Sequence, residues 1–380
     1  MRLKSLKLDY FRNYDKIKIE FRQNIVIFVG ENAQGKTNIL EAIYYLATGS
    51  AYRPNKDREL INWKNDYFSI KAEIISHRER DITIEIDYIK QKKSISINGV
   101  KKNKLQDLFG NLNVVIFAPE DLILIKGTPG DRRRFLNKEI SQVSSQYYYF
   151  YSQYNKILLQ RNSILKKIAF SKRQLTDQLN VWDNQLVYYG SRVVKWRLDF
   201  IYLLSKYAAL SHQALSGNTE ELSLTYTTNT CDILKKKNII SGISIDDIAE
   251  EFLRKLKETA KDEVDKATTL IGPHRDDIDF IINEKDLKYY GSQGQQRSAV
   301  LSVKLAQIKL IKDKLDTFPI LLLDDVMSEL DQKRREHLLQ QTESEIQTFI
   351  TTTHLHSFNE KVLNEAQLLK VDKGRIYPTS

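Results

Sequence analysis

The chain has 380 residues, 41% hydrophobic and 28% charged, enough apolar content for a sizeable core and room for two domains, which excludes a disordered or low-complexity protein. Lysine and arginine exceed aspartate and glutamate by 10, a surplus that suits a polyanionic partner without demonstrating one. The single cysteine, Cys231, excludes an internal disulfide framework and fits a reducing compartment.

The basic start, MRLKSLKLDYFRNYDKIKIEF, alternates apolar with charged residues and lacks the continuous apolar core of a secretion signal. No stretch approaches 18 uncharged apolar residues, so a cytoplasmic protein without a membrane partner is expected. To about residue 118 the pattern is mainly that of strands. KIKIEF (16–21) and DITIEIDY (81–88) alternate as half-buried strands do, while IVIFV (25–29) and VVIF (114–117) are the unbroken apolar runs of buried ones. Asn98-Gly99 marks a hairpin turn, and a helix is predicted to begin near Lys36.

Between about 130 and 215 the period changes. Trp182, Leu186, Tyr189, Val193, Trp196, Phe200, Leu203, Tyr207, Leu210 and Ala214 are spaced alternately by four and three residues, which predicts one helix about 50 Å long with those side chains on a seam. Tyr147, Tyr151, Tyr154, Leu158, Arg161, Leu165 and Ile168 keep the same spacing apart from the arginine, and the two segments are expected to pair antiparallel with a turn near Ser171–Asn180. The aromatics are read as helix packing rather than base stacking. Residues 131–173 carry ten basic side chains against Asp131 and Glu139, a solvated surface or a polyanion-facing one. LSLTY (222–226), a lysine run (235–237) and a charged helix over 244–266 follow. Strand patterns resume at DDIDFIIN (276–283), ILLLDD (320–325) and TFITTT (348–353), so the outer thirds read as halves of one domain.

Gly30-Glu31-Asn32-Ala33-Gln34-Gly35-Lys36-Thr37 has the G-x-x-x-x-G-K-T spacing and sits between the run IVIFV and the helical segment that starts around Asn38. Glycines let such a loop curl so that its N–H groups face a β-phosphate, the lysine reaches the β- and γ-phosphates, and the threonine ligates Mg²⁺. ILLLDDVMSELD supplies a buried strand ending in Asp324, a second magnesium-side carboxylate, with Asp325 as the candidate general base. Residues 290–298, YGSQGQQRS, open another helix with small and amide residues, an arrangement suited to holding an anion. Lying 255 residues beyond Thr37, Ser292 is not expected to serve the same phosphate cradle.

These features resemble the ATP-binding-cassette ATPases, whose Ser-Gly-Gly-Gln-like signature covers the γ-phosphate held by the other subunit. Ser292, Gly294 and Gln295 stand where the signature would, with Gln293 in place of its first glycine. Ser328–Asp331 resembles the loop after the second motif. His354 falls where the class often has a γ-phosphate sensor, with His356 and a threonine as competitors. The pair Asp324-Asp325 stands where Asp-Glu is common, which implies slow turnover.

Within that class FRNY (11–14), GENAQGKTNILEAI (30–43), FAPEDLILIKGTPGDRRRFLN (117–137), GPHRDDIDF (272–280), GSQGQQRS (291–298) and LLLDDVMSELD (321–331) together resemble the RecF family over the whole chain. The resemblance adds Arg12 and Asn13 to the nucleotide-contacting set. In SAYRPNKDREL (50–60), Arg53 keeps the family's arginine, but Pro54 departs from its Ser-His-Arg-Thr pattern and puts that arginine's phosphate-sensing role in doubt. The implied fold is α/β: an ABC-type P-loop ATPase head with a mixed sheet and flanking helices (1–125 and 270–380), into which a mainly helical arm (126–269) is inserted.

The implied function is that of an ATP- and Mg²⁺-dependent homodimer, a slow DNA-dependent ATPase that clamps duplex DNA near single-strand gaps. It would work with RecR and RecO to load RecA. Candidate DNA contacts are Arg132, Arg133, Arg134, Lys156, Lys166, Lys167, Lys172, Arg173 and Lys333-Arg334-Arg335, with internal ion pairing an equal reading of the triple arginine. A transporter ATPase subunit would share the nucleotide motifs but not the long arm. A P-loop kinase would leave the signature idle, and a purely structural arm protein would show no ATP effect.

Overall fold

The structure is a computed structural model that describes residues 1–53, 56–75, 81–171, 176–232, 242–329, 334–335, 338 and 345–379. Pro54, Lys172, Arg173, the lysine run 235–237, Leu330, Asp331 and Lys333 of the expected features lie outside these. The strands are β1 (Arg2–Phe11), β2 (Tyr14–Glu20), β3 (Ile25–Val29), β4 (Tyr67–Ile75), β5 (Asp81–Ile89), β6 (Lys92–Ile97), β7 (Val100–Lys102) and β8 (Val114–Phe117). They continue as β9 (Leu222–Thr227), β10 (Asp277–Ile282), β11 (Lys285–Asp286), β12 (Ile320–Asp324), β13 (Thr348–Thr352), β14 (Ala366–Asp372) and β15 (Arg375–Pro378). Among the described residues, no helix is long and apolar enough to cross a membrane.

Two compact units emerge, Met1–Asp121 with Leu301–Ser380, and Leu122–Val300. The first holds two six-stranded sheets, one in the order β2-β1-β4-β5-β6-β7 and one in the order β15-β14-β3-β13-β12-β8. The former is antiparallel throughout, and its strands alternate as period-two patterning requires. Asn98 and Gly99 both take positive φ in the tight turn between β6 and β7, as the Asn-Gly signal anticipates.

In the second sheet β14, β3, β13, β12 and β8 run parallel, with β15 antiparallel at the edge. The helix Lys36–Thr48 packs on strands of both sheets, so every residue from Ile39 to Thr48 is buried. That accounts for an apolar helix with no polar face. Parallel strands share a carboxyl edge, and a ligand in such a sheet sits outside it. The loop after β3 and the Asp324 end of β12 therefore lie on one edge, with β13 between them.

In the second unit β10 pairs antiparallel with β9 and β11. Residues 270–300 accordingly belong with the inserted segment, whereas sequence alone grouped them with the outer thirds. The division falls inside the helix Gln293–Leu315. The helices Ser145–Ser171 and Thr176–Ser216 pack on one another, and Tyr147, Tyr154 and Leu165 of the first are buried as expected, with Arg161 buried among them against Asp183 and Glu263.

On the longer helix Leu186, Val193 and Phe200 of the predicted seam are buried, but a second buried stripe lies beside it. This stripe runs through Gly190, Val194, Arg197, Ile201, Leu204, Ala208, His212 and Leu215, while Leu210 and Ala214 are exposed. The reason is twofold. This helix also packs against β9 and the helix Ile245–Asp265, so more than one stripe is covered. The stripe also contains residues that an apolar pattern discounts: Gly190, where a Cβ would come within 2.6 Å of Phe252, and Arg197 and His212, buried against Asp276 and Glu220.

Candidate nucleotide-binding site

The loop after β3 is held in shape by its own unit. Gly35 has φ of 115°, and a Cβ there would come within 2.5 Å of Asn13 Nδ2 and 2.9 Å of the Tyr14 hydroxyl, so only glycine fits. Tyr14 Oη donates to Gly35 O at 3.0 Å, Asn13 Nδ2 donates to Gln34 O at 2.8 Å, and Lys373 N donates to Gln34 Oε1 at 2.7 Å. Asn38 Nδ2 donates to Asn13 Oδ1 at 2.8 Å, completing the brace. Arg12 makes a two-pronged ion pair with buried Glu41, Nε to Oε2 at 2.8 Å and Nη2 to Oε1 at 3.0 Å. FRNY thus fixes the loop from outside, whatever else Arg12 and Asn13 touch.

Lys36 is 6% exposed, and its ammonium donates to Gly30 O at 2.5 Å and Glu31 O at 2.8 Å. Burial lowers its pKa, with Asp325 and Asp324 pulling the other way. Thr37 Oγ1 donates to Asp324 Oδ1 at 2.7 Å. Asp324 is buried, and burial raises its pKa while the hydroxyls of Thr37 and Thr351 oppose that rise. Two hard oxygen donors so placed fit Mg²⁺, which is held by few protein oxygens alongside substrate phosphates.

Thr351, on the strand between the two motifs, is the residue that sequence reasoning left unnamed. Its hydroxyl donates to Asp324 Oδ1 at 2.8 Å and accepts from Asp325 N at 2.9 Å. Asp325 has φ of 52°, a left-handed value that aspartate tolerates better than most residues, and the sheet ends there. His354 is exposed and stacks on His356 with ring centroids 5.2 Å apart.

In the other unit Ser292 and Gln295 cap the helix Gln293–Leu315 reciprocally. Ser292 N donates to Gln295 Oε1 at 2.8 Å, and Gln295 N donates to Ser292 Oγ at 3.2 Å. Gln295 Nε2 also donates to Glu220 Oε1 at 2.9 Å. Ser292 is exposed, and a Cβ on Gly294 would meet nothing nearer than Ser292 Oγ at 3.8 Å. Among the described residues, nothing packs closely enough on Gly294 to require a glycine there.

The profile of the RecF/RecN/SMC N-terminal domain matches residues 2–376. A protein of Natranaerobius thermophilus named DNA replication and repair protein RecF is 43% identical over 380 residues, covering 98% of this chain and 97% of its own length. The chain belongs to the RecF family. A solved structure of the recombination mediator protein RecF-ATP in the RecFOR pathway superposes with a TM-score of 0.91 at 33% identity, covering 100% of this chain and 97% of the other. An SMC head bound to a domain of ScpA has a TM-score of 0.55 at 14% identity, covering 100% of this chain and 98% of the other, a likeness of fold alone. The expected α/β, ABC-type head is thereby established.

This RecF-family chain separates the three arginines that sequence left together. Arg132 is 5% exposed and grips Asp277 at 2.6 and 2.8 Å, so it is removed from the candidate DNA contacts; a buried ion pair of that geometry is structural. Arg133 donates to Asp276 O at 2.7 Å, and Arg134 pairs with Asp131 at 3.0 Å from a half-exposed position. Lys166 and Lys167 are exposed on the helix Ser145–Ser171.

Proposed function

We propose that the protein is an ATP-dependent DNA-binding protein of recombinational repair and replication-fork maintenance, in which ATP·Mg²⁺ closes two copies around DNA at single-strand gaps or junctions and slow hydrolysis reopens them. The observation that carries this reading is the 2.7 Å approach of Thr37 to Asp324 behind a phosphate-binding loop. The family's printed names, replication and repair protein and recombination mediator, support the DNA side. They leave the transporter and kinase readings without support.

In this reading the loop from Gly30 to Asn38 holds the triphosphate, with Lys36 on its β- and γ-phosphates, and Thr37 and Asp324 hold the metal. Mg²⁺ would neutralise charge on the phosphate oxygens. Asp325 accepts a proton from the attacking water, and His354 contacts the terminal phosphate. Ser292, Gly294 and Gln295 close the site of a second copy, the hydroxyl proton of Ser292 being free to turn toward an anion while its oxygen keeps the cap. The first unit acts as the ATPase head and the second as the arm. Lys166, Lys167, Arg134 and, less openly, Arg133 meet the DNA backbone, contacts that weaken with salt and carry no sequence preference. RecR, with RecO and RecA, is the expected partner set.

The test is DNA retention by the full chain with ATP·Mg²⁺, ADP·Mg²⁺ or no nucleotide, beside Lys36→Ala. ATP should prolong retention of a gapped duplex by the wild type and leave Lys36→Ala unaffected. Equal retention in all three conditions by the wild type would refute the switch.

A further inference from the structure

Arg53 and Glu120 form an ion pair, Nη2 to Oε1 at 2.8 Å, with both side chains about two-fifths exposed. An exposed pair adds little stability, so its position is the informative part. The residues just inside each partner are clamped. Tyr52 Oη donates to Asp121 Oδ1 at 2.5 Å, Lys304 pairs with the same carboxylate at 2.7 Å while 3% exposed, and Ala118 N donates to Asp121 Oδ2 at 2.8 Å. Tyr52–Asp121 therefore fixes the backbone beneath Arg53–Glu120, and only the outer pair is left at the surface.

That surface is the carboxyl edge described above. Glu120 follows β8, which pairs with β12, the strand ending in Asp324. The charges of Arg53 and Glu120 both act on Asp324, in opposite senses. Asp324, Asp325 and Glu120 thus put three carboxylates on one edge, against Lys36 and Arg53. A polyphosphate entering there attracts Arg53 and repels Glu120.

We propose that Glu120 is a positioning residue that competes with the terminal phosphate of a bound nucleoside triphosphate for Arg53, and so sets how strongly the site prefers triphosphate over diphosphate. This rests on the nucleotide-site reading given above. A diphosphate ends short of the contested position, so Glu120 acts on triphosphate affinity alone.

The experiment measures dissociation constants of ATP and ADP, with Mg²⁺, by calorimetry on the full chain as wild type, Glu120→Gln, Arg53→Gln and the double variant. Both side chains are surface ones, so folding is not at risk. Glu120→Gln should tighten ATP about fivefold, the worth of one exposed ion pair at about 1 kcal/mol, and leave ADP unchanged. Arg53→Gln should weaken ATP and leave ADP unchanged, and the double variant should match Arg53→Gln. An unchanged ATP-to-ADP ratio in Glu120→Gln overturns the competition, as does tightening that persists in the double variant. Wild-type ATP affinity in a parallel Lys36→Ala measurement would instead overturn the nucleotide site itself, and the competition with it.

Discussion

Thr351 stands between Asp324 and Asp325, giving its hydroxyl proton to the carboxylate of the first and its lone pair to the backbone N–H of the second, at 2.8 and 2.9 Å. One side chain on β13 thereby couples the metal-side carboxylate to the turn that aims the candidate base. Thr351→Val keeps the shape and removes the hydroxyl, leaving Asp325 N without that acceptor and Asp324 with one fewer donor. The expected result is a loss of about 1–3 kcal/mol in chemical denaturation and a fall in ATPase rate, with Thr351→Ser restoring both.

Asp325→Asn isolates charge from shape, because asparagine also tolerates the left-handed backbone at this position. Hydrolysis should drop about 100-fold or more, the usual effect of losing a general base, while ATP-dependent dimerisation persists. Turnover at the wild-type rate in a phosphate-release assay would remove Asp325 from that role.

Ser292→Arg places a bulky cation on the exposed helix cap. The cap itself is worth about 1 kcal/mol, which Ser292→Ala measures separately. ATP binding to the single chain should stay within about twofold of wild type, and ATP-dependent dimerisation should disappear. Normal dimerisation by the arginine variant would show that the signature does not face a second copy.

His274 predicts a pH dependence of stability. Its Nε2 lies 3.1 Å from Thr269 O, which only accepts, so Nε2 carries the proton and Nδ1 accepts from the Tyr154 hydroxyl at 2.6 Å. Burial, with Arg275, Arg133 and Arg161 adding to it, lowers its pKa from 6.5 to about 4. A depressed folded-state value means the unfolded chain takes up the proton first. Stability from this group is therefore complete above pH 6.5, declines as pH falls toward about 4, and is constant below. The loss is on the order of 3 kcal/mol. Denaturant melts across that window should show the decline in wild type, and His274→Gln should remove this component of it.

Much of the head was legible because its signals are local. IVIFV and ILLLD are apolar runs long enough for one buried strand, and Gly35-Lys36-Thr37 follows the first directly. Thr351 was not legible, because its role depends on β13 lying between β3 and β12, a pairing order that neither motif encodes. The seam of the long helix was only partly placed, because Arg197 is buried through its pairing with Asp276 and His212 through a hydrogen bond with Glu220, which no apolar periodicity registers. Arg132 and Arg134 look alike in sequence, and only the register of the helix Pro129–Val143 turns one onto Asp277 and the other toward water.

The most direct measurement is sedimentation velocity of the full chain alone, with ATP·Mg²⁺, and with ATP·Mg²⁺ plus a gapped duplex. A single species near the 44.4 kDa monomer mass is expected without nucleotide, a doubling of mass with ATP·Mg²⁺, and a further shift with the duplex. A chain that binds ATP yet stays at monomer mass, with or without DNA, would contradict a nucleotide enclosed between two copies.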